Sequence, residues 1–274
     1  MGRGGSGAVC VALCQFRAVT QSLGRHPAQA GCRVKPQRHA GVDVLRGAAL
    51  LWMTAYHFCF DLNNAGLIRQ DFYNDPVWTW QRTAILSLFL LCAGAGQALA
   101  AERGQPWLQF WRRWGQIALC ALLVTAGSVL MFPKSYIYFG VLHGMAVMLL
   151  LARLTVHWGR WLWWLGGLAI AMKYVAAYAM DAGAIPLFFN EKGLNWLGLI
   201  TTKPQTEDYV PLLPWLGVMW WGLAAMQWWL RQPTSGPAWT PPPALRPLAW
   251  LGNWSLSYYM LHQPVLLGLL WVLA

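Results

Sequence analysis

From residue 42 onward, long apolar runs alternate with short polar segments. A helix needs roughly 20 mostly apolar residues to cross a bilayer, and seven runs come close to that length. The predicted spans are 42–62, 81–101, 115–132, 136–154, 161–180, 211–230 and 248–272. The pattern therefore predicts an all-α fold, a polytopic membrane helix bundle of about seven transmembrane helices.

The polar segments between these runs differ in charge. The segments near 103–113, 153–160 and 231–246 are basic with little acid. The segments 63–80 and 181–210 hold six of the nine Asp and Glu, and the short segment 133–135 is grouped with them. Excess Lys and Arg mark cytoplasmic loops. We therefore predict a multi-pass protein of a bacterial-type inner (plasma) membrane, with a cytoplasmic N-terminus and an external C-terminus.

The first 37 residues form a separate region by composition. They contain five basic residues and no acidic one, among many Gly, Ala, Ser and Gln. Their single apolar patch is shorter than a typical signal-peptide core. We predict that 1–37 is a disordered basic cytoplasmic tail and that 38–274 is the transmembrane domain.

Composition supports a membrane protein and argues against a nucleic-acid-binding one. Of the 274 residues, 57% are hydrophobic and 11% are charged, whereas soluble domains carry about 25% charged residues. The net charge of +11 is spread over the tail and short loops, as expected for membrane orientation rather than for a phosphate-binding face. The six cysteines have no metal-ligand or redox spacing, so no metal site is expected.

The first apolar run carries four ionisable residues on one side. Arg46 and His57 are eleven positions apart, Asp61 follows His57 at i+4, and Asp43 precedes Arg46 at i−3. At about 100° per residue, all four fall within about a third of the helix circumference. Charges at membrane depth are costly and usually face a polar cavity or a partner. The stripe therefore predicts one wall of a functional cavity.

Three histidines are predicted at similar depth in the membrane. His57 lies near the outer end of the first span, His143 lies in the fourth and His262 in the seventh. Ser255 lies seven positions before His262 and shares its helix face, and Tyr258 is close by in sequence. We expect His143, His262, Ser255 and Tyr258 to line a site around His57.

His57 and Asp61 are the candidate catalytic residues. Histidine takes up and returns a proton near neutral pH. A carboxylate one turn away can orient an imidazole and stabilise its charged form. At about 1.5 Å per residue, Arg46 lies some 16 Å below His57, near the cytoplasmic surface. There it serves either to bind phosphates of a cytoplasmic donor or to anchor the helix at the headgroups.

These residues resemble two related families. Arg46, ten residues and His57 resemble the Arg-x10-His signature in the first span of family 3 membrane acyltransferases. A longer resemblance, covering nearly everything from residue 42 to the end, is to the bacterial branch of the heparan-alpha-glucosaminide N-acetyltransferase catalytic-domain family. The segments that carry it are DVLRGAALLWMTAYHFCFDLNNAGLI, SLFLLCAGAGQAL, YFGVLHGMAVMLLLARL, DYVPLLPWLGVMWWGL and LGNWSLSYYMLHQPVLL.

The resemblance implies that residues 38–274 form a transmembrane acyltransferase domain. It implies transfer of an acetyl or other acyl group from cytoplasmic acyl-CoA to a sugar amine or hydroxyl outside. Arg46, with Arg112 or Arg113, would hold the CoA phosphates, and His57 would be the general base or would itself be acylated. The implied partners are the lipid bilayer, acyl-CoA and a glycan or other extracytoplasmic acceptor, with a homo-oligomer allowed and nucleic acid excluded.

The chain departs from the animal lysosomal enzymes of this family in one respect. Those enzymes carry their proposed active histidine in a Gly-rich lumenal loop after the first span. The corresponding loop here, 63–81, contains no histidine. That residue is therefore not carried over, and His57 is the histidine that matches a motif.

Two other classes of function compete with an acyltransferase. His57, His143 and His262 could ligate haem or a metal within the bundle, as membrane cytochromes pair histidines across helices. Alternatively, the polar stripe could line the path of a transporter or flippase, although no inverted repeat is detectable.

Overall fold

The structure is a computed structural model that describes residues 39–183, 187–233 and 239–273, so the predicted tail lies outside the described residues. These residues form eight α-helices joined by loops and short 3-10 turns, without strands. The helices are α1 Ala40–Asn64, α2 Pro76–Glu102, α3 Trp107–Met131, α4 Val141–Leu154, α5 Trp161–Asp181, α6 Leu212–Leu230, α7 Arg246–Asn253 and α8 Ser255–Leu273. The predicted all-α class is confirmed.

Among the described residues, three helices are long and apolar enough to cross a membrane: α2, α3 and α5. The count of seven spans stays a prediction. Four predicted runs differ from the observed helices. The second, 81–101, and the third, 115–132, begin earlier, at Pro76 and Trp107, so that much of the predicted loop 103–113 belongs to α3. The fourth, 136–154, becomes helical at Val141, and the seventh, 248–272, is divided into α7 and α8 at Trp254.

Local sequence explains where two of these helices begin. The side chain of Asp75 accepts a hydrogen bond from the backbone N–H of Val77 at 2.7 Å, and Pro76 occupies the first helical turn of α2. Both are favoured at a helix N-terminus. At α4 the cap comes from another part of the chain, because the Asp208 carboxylate accepts from the N–H of Val141 at 2.7 Å. A local pattern predicts the first start but not the second.

Small residues allow the central helices to approach closely. A Cβ atom on Gly94 of α2 would collide with the carbonyl oxygen of Met219 on α6, and one on Gly222 of α6 would collide with that of Leu91. Gly166 and Gly217 bring α5 and α6 together in the same way. Close contact at small residues is typical of membrane helices. The main buried core lies around α2, α4 and α6 and includes Leu90, Met148, Leu162, Met219 and Leu223.

The two short helices at the end of the chain pack on α1. α7 lies beside its first turns, because Cβ atoms on Gly47 and Gly252 would collide with the carbonyl oxygens of Leu248 and Asp43, respectively. α8 then continues along the second half of α1. The break between them therefore lets one predicted span follow α1 along most of its length.

The bundle has two ends, named here after residues of α1. At the Arg46 end, the ring of His39 lies 5.2 Å from that of Trp229, and Gln227 donates to the carbonyl of Val156 at 2.6 Å. At the Asp61 end, Thr206 Oγ1 donates to the carbonyl of Tyr136 at 2.9 Å, joining two loops. The basic loops of the sequence lie at the Arg46 end and the acidic ones at the Asp61 end.

Candidate functional site

The polar stripe of α1 begins with an ion pair. Arg46 Nη1 lies 3.3 Å from the Asp43 carboxylate, one turn earlier on the same helix. The other guanidinium nitrogen lies 3.8 Å from the position that a Cβ on Gly96 of α2 would take. Arg46 therefore faces α2 at a glycine, where the absence of a side chain leaves room for the guanidinium.

Two of the three predicted histidines meet. The ring centroids of His57 on α1 and His262 on α8 are 5.2 Å apart, with their planes inclined by 61°. Tyr56 lies edge-on to His57 at 5.8 Å, and Tyr258 is stacked nearly parallel to His262 at 6.2 Å. The pair is thus enclosed by aromatic rings on both helices.

The hydrogen bonds of the two histidines differ. His262 is buried, and its Nδ1 lies 2.7 Å from the carbonyl oxygen of Tyr259. Its Nε2 is buried without a hydrogen-bond partner among the described residues. His57 is half-buried, and its ring nitrogens likewise bond to no described residue. One histidine is fixed by the backbone and the other is available for contacts with a ligand.

Asp61 pairs with α8. It is buried, and both of its carboxylate oxygens accept from Gln263 Nε2, at 2.9 and 3.0 Å. The prediction is that Asp61 orients His57, but no hydrogen bond between these two residues occurs in the described part of the chain. The carboxylate instead joins α1 to the residue that follows His262. A further contact joins the same helices one turn below His57, where Thr54 Oγ1 and Tyr258 Oη are 2.7 Å apart.

The third histidine belongs to another group of contacts. His143 Nε2 lies 3.0 Å from Thr125 Oγ1 of α3, and its Nδ1 accepts from the N–H of Gly140 at 3.3 Å. Its ring also faces Phe139 at 6.1 Å. Both ring nitrogens are thus engaged at the start of α4. Ser255, predicted to share the face of His262, is the first residue of α8.

A loop carboxylate, that of Asp208, lies at the Asp61 end of the bundle. Asp208 is partly buried where it caps α4, and this burial raises the pKa of its carboxyl group, while the Val141 N–H and the charges of Lys203 and Arg82 act in the opposite direction. Lys203 also stands over the ring of Tyr73 at 5.5 Å. Two cations and one carboxylate therefore lie near one another at this end of the bundle.

The Arg46 end contains a separate cavity of about 270 Å³. It lies between the ends of α2 and α6 and the 156–159 turn, and its polar lining residues are Glu102, His157, Gln227 and Arg231. Arg112 and Arg113, the other predicted phosphate-binding residues, are exposed in the first turns of α3. They are not among the lining residues of this cavity.

Sequence reasoning missed three residues of this site. Gln263 was overlooked although a buried Asp61 needs a donor and Gln263 directly follows His262. Asp208 and Thr54 carried no local signal, because the former caps a helix 67 positions earlier and the latter meets Tyr258 across 204 positions. Among the described residues, no group of three or more His, Cys, Asp or Glu is arranged to hold a metal ion.

Comparison with known proteins identifies the family. The sequence profile described as "Heparan-alpha-glucosaminide N-acetyltransferase, catalytic" matches residues 38–264. No curated protein and no solved structure matches the chain significantly. The matched region covers α1 through the first half of α8 and thus includes both histidines of the pair. The chain belongs to the heparan-alpha-glucosaminide N-acetyltransferase catalytic family of membrane proteins.

Proposed function

We propose that this protein transfers an acetyl or other acyl group from cytoplasmic acyl-CoA to an amine or hydroxyl of a sugar, or of another acceptor, outside the membrane. The observation that carries the proposal is the contact between His57 and His262, with ring centroids 5.2 Å apart, in a chain of this acetyltransferase family. In this proposal the N-terminus is cytoplasmic and the membrane is a bacterial-type inner membrane.

The Arg46 end is the proposed donor side. Arg46 faces the gap at Gly96, and guanidinium groups suit phosphate geometry. Arg231 and His157, together with Glu102, line the neighbouring cavity of about 270 Å³, which places a second guanidinium group at the same end. Arg112 and Arg113 are exposed on that side and would act as further phosphate contacts. A pantetheine arm would extend from here along α1 toward His57.

The histidine pair is the proposed site of chemistry. The acceptor nitrogen or oxygen attacks the thioester carbonyl carbon, the C–S bond breaks, and the acceptor's proton passes through His57 to the departing CoA thiolate. His57 acts either as this base or as a nucleophile that is acylated first. Asp61, His262, Ser255 and Tyr258 would complete the wall of the site, and His143 would lie beyond it.

The test is acyl transfer in proteoliposomes with labelled acetyl-CoA and a panel of amino-sugar and hydroxyl acceptors. His57→Ala is expected to abolish transfer, whereas His143→Ala, the matched control with its own hydrogen-bond partners, is expected to retain most of it. Mass spectrometry after incubation without acceptor separates the two roles of His57, because only a nucleophile gains an acyl group. Full activity of His57→Ala would rule out this assignment.

Donor binding is tested apart from transfer. Arg46→Gln is expected to weaken binding of acetyl-CoA, measured by calorimetry on the purified protein, by about tenfold, the loss of one charge-assisted hydrogen bond. Arg112→Gln serves as the comparison for an exposed arginine of the same end. If Arg46→Gln binds acetyl-CoA as tightly as wild type does and Arg112→Gln binds it more weakly, the phosphate site lies on α3 instead.

A further inference from the structure

The hydrogen bond of His262 determines where its proton lies. The carbonyl oxygen of Tyr259 can only accept, and it lies 2.7 Å from His262 Nδ1. Nδ1 must therefore carry the hydrogen. In a neutral imidazole the other nitrogen is then a hydrogen-bond acceptor. His262 thus presents a lone pair at Nε2.

That lone pair is buried and has no partner among the described residues. A buried acceptor left without a donor costs about 1–3 kcal/mol, so an arrangement that supplies a donor is favoured. Gln263, the next residue, cannot supply it from its amide nitrogen, because that nitrogen donates to both oxygens of Asp61. Of the described aromatic rings around His262, that of His57 has the shortest centroid distance, 5.2 Å.

His57 is close enough to donate. Ring atoms lie about 1 Å from their centroid, so centroids 5.2 Å apart allow nitrogens that are turned toward each other to approach to roughly 3 Å, which is hydrogen-bond distance. His57 is half-buried and its nitrogens bond to no other described side chain or backbone group. A rotation of its ring about the Cβ–Cγ bond can therefore bring an N–H onto His262 Nε2.

We propose that His262 is the positioning residue for His57, the role that the sequence had assigned to Asp61. His262 Nε2 accepts from one nitrogen of His57, which leaves the other as a lone pair directed at the substrates. This inference rests on the proposed function. When the acceptor attacks the acyl carbon, its proton moves to the free nitrogen of His57, and the resulting positive charge is stabilised across the His57–His262 hydrogen bond. The proton then passes to the CoA thiolate as the C–S bond breaks.

Asp61 has a different part in this arrangement. Its carboxylate holds Gln263 and so fixes the turn of α8 that carries His262. It keeps the two histidines at one level, and no hydrogen bond joins it to His57 in the described part of the chain. The hydrogen bonds that Asp61 makes among the described residues go to Gln263.

The test measures the nucleophilicity of His57 directly, without substrates. Purified protein is treated with diethyl pyrocarbonate, and the rate of modification of His57 is followed by peptide mass spectrometry. His262→Leu keeps the volume of the side chain but removes the hydrogen-bond acceptor. It is expected to slow the modification of His57 about tenfold, which is less than the roughly 100-fold or more that general base catalysis contributes. His262→Gln, whose side-chain oxygen can accept in place of Nε2, is expected to restore most of the rate.

His143→Leu is the matched control and should leave the rate at His57 unchanged. Equal rates of His57 modification in wild type and His262→Leu would overturn the inference, as would a rate in His262→Gln no higher than in His262→Leu. Melting temperatures of all variants identify a loss caused by misfolding. The assay is independent of acyl transfer, so a wild-type protein that transfers no acyl group would refute the proposed function while leaving this result interpretable.

In acyl transfer, the same variants are expected to separate kcat from KM. His262→Leu should lower kcat about 100-fold with little change in the KM for acetyl-CoA, because the donor is bound at the other end of α1. If His262 had only a structural role, His262→Leu would raise the KM as well, and His262→Gln would not restore kcat.

Discussion

Gln263 Nε2 donates to both carboxylate oxygens of Asp61, at 2.9 and 3.0 Å. The two residues are 202 positions apart and join the first long helix to the last. The bond gives a buried carboxylate the partner that it needs inside a bundle. It also places Gln263 and its neighbour His262 at the level of the second half of α1.

Removing this donor is expected to destabilise the protein. Gln263→Leu leaves Asp61 buried without a partner, which should lower the free energy of unfolding by about 1.5–3 kcal/mol, the range for hydrogen bonds to charged groups. The measurement is thermal or denaturant unfolding in detergent. Gln116→Leu, at an exposed position of α3, is the control and should change little. A melting temperature of Gln263→Leu equal to that of wild type would contradict the role of this bond.

The close packing of α7 on α1 leads to a second prediction. A Cβ on Gly47 would overlap the backbone carbonyl of Leu248, and backbone cannot move aside as a flexible side chain can. Gly47→Ala should therefore lower the free energy of unfolding by about 1–3 kcal/mol, measured in the same unfolding assay. Gly115→Ala, in α3 with nothing within 4 Å, should instead be neutral or slightly stabilising, because alanine is the better helix former. Similar effects of both changes would argue against a tight α1–α7 contact.

Stability is expected to depend on pH through Asp208. Burial raises the pKa of this carboxyl group in the folded protein, so the folded state holds the proton more tightly than the unfolded chain does. The free energy of unfolding should therefore fall as the pH rises from about 4, the ordinary pKa of an aspartate, through the higher pKa of the folded state. Melting temperatures across this range measure the effect.

Two variants separate the charge of Asp208 from its capping bond. Asp208→Asn keeps an oxygen that accepts from the N–H of Val141 but has no charge, so its melting temperature should vary less with pH than that of wild type. Asp208→Ala loses the 2.7 Å bond as well and should melt lower at every pH. An Asn variant as sensitive to pH as wild type would show that another group titrates.

The contact between Thr54 and Tyr258 is expected to couple α1 to α8 energetically. Their hydroxyl oxygens are 2.7 Å apart. Thr54→Val and Tyr258→Phe should each cost about 0.5–1.5 kcal/mol of unfolding free energy. In a double-mutant cycle, the double variant should lose less unfolding free energy than the sum of the two single variants, because either change alone already breaks the shared hydrogen bond. Strict additivity would mean that the hydroxyls do not interact.

Much of the fold follows from local pattern. The apolar runs give the all-α class and the approximate position of every long helix, because burying apolar surface in lipid while satisfying the backbone requires helices. Gly94 of the second run meets the backbone of α6, as small residues of membrane helices commonly do. The break at Trp254 was not predicted, because apolar residues continue on both sides of Gly252 and Asn253 and the stretch was taken as one span.

The candidate site was predictable only in part. Helical periodicity placed Asp43, Arg46, His57 and Asp61 on one side of α1, and the structure keeps Arg46 paired with Asp43. Depth in the membrane placed His57 level with His262, and the two are in contact. The same reasoning grouped His143 with them, but Thr125 and Gly140 engage its ring. Membrane depth gives the position of a residue along the bundle axis. It does not say which neighbouring helix the side chain faces.

The sequence by itself determined the class of fold, the family and the helix that carries the candidate chemistry, because hydropathy, helical spacing and motif are local properties of the chain. Only the tertiary structure decided which side chains are partners. Asp61 was expected to serve His57 at i+4, yet its hydrogen bonds go to Gln263, 202 positions away. A buried carboxylate bonds to whichever donor the packing places beside it. For Asp61, that donor is determined by how α8 packs against α1.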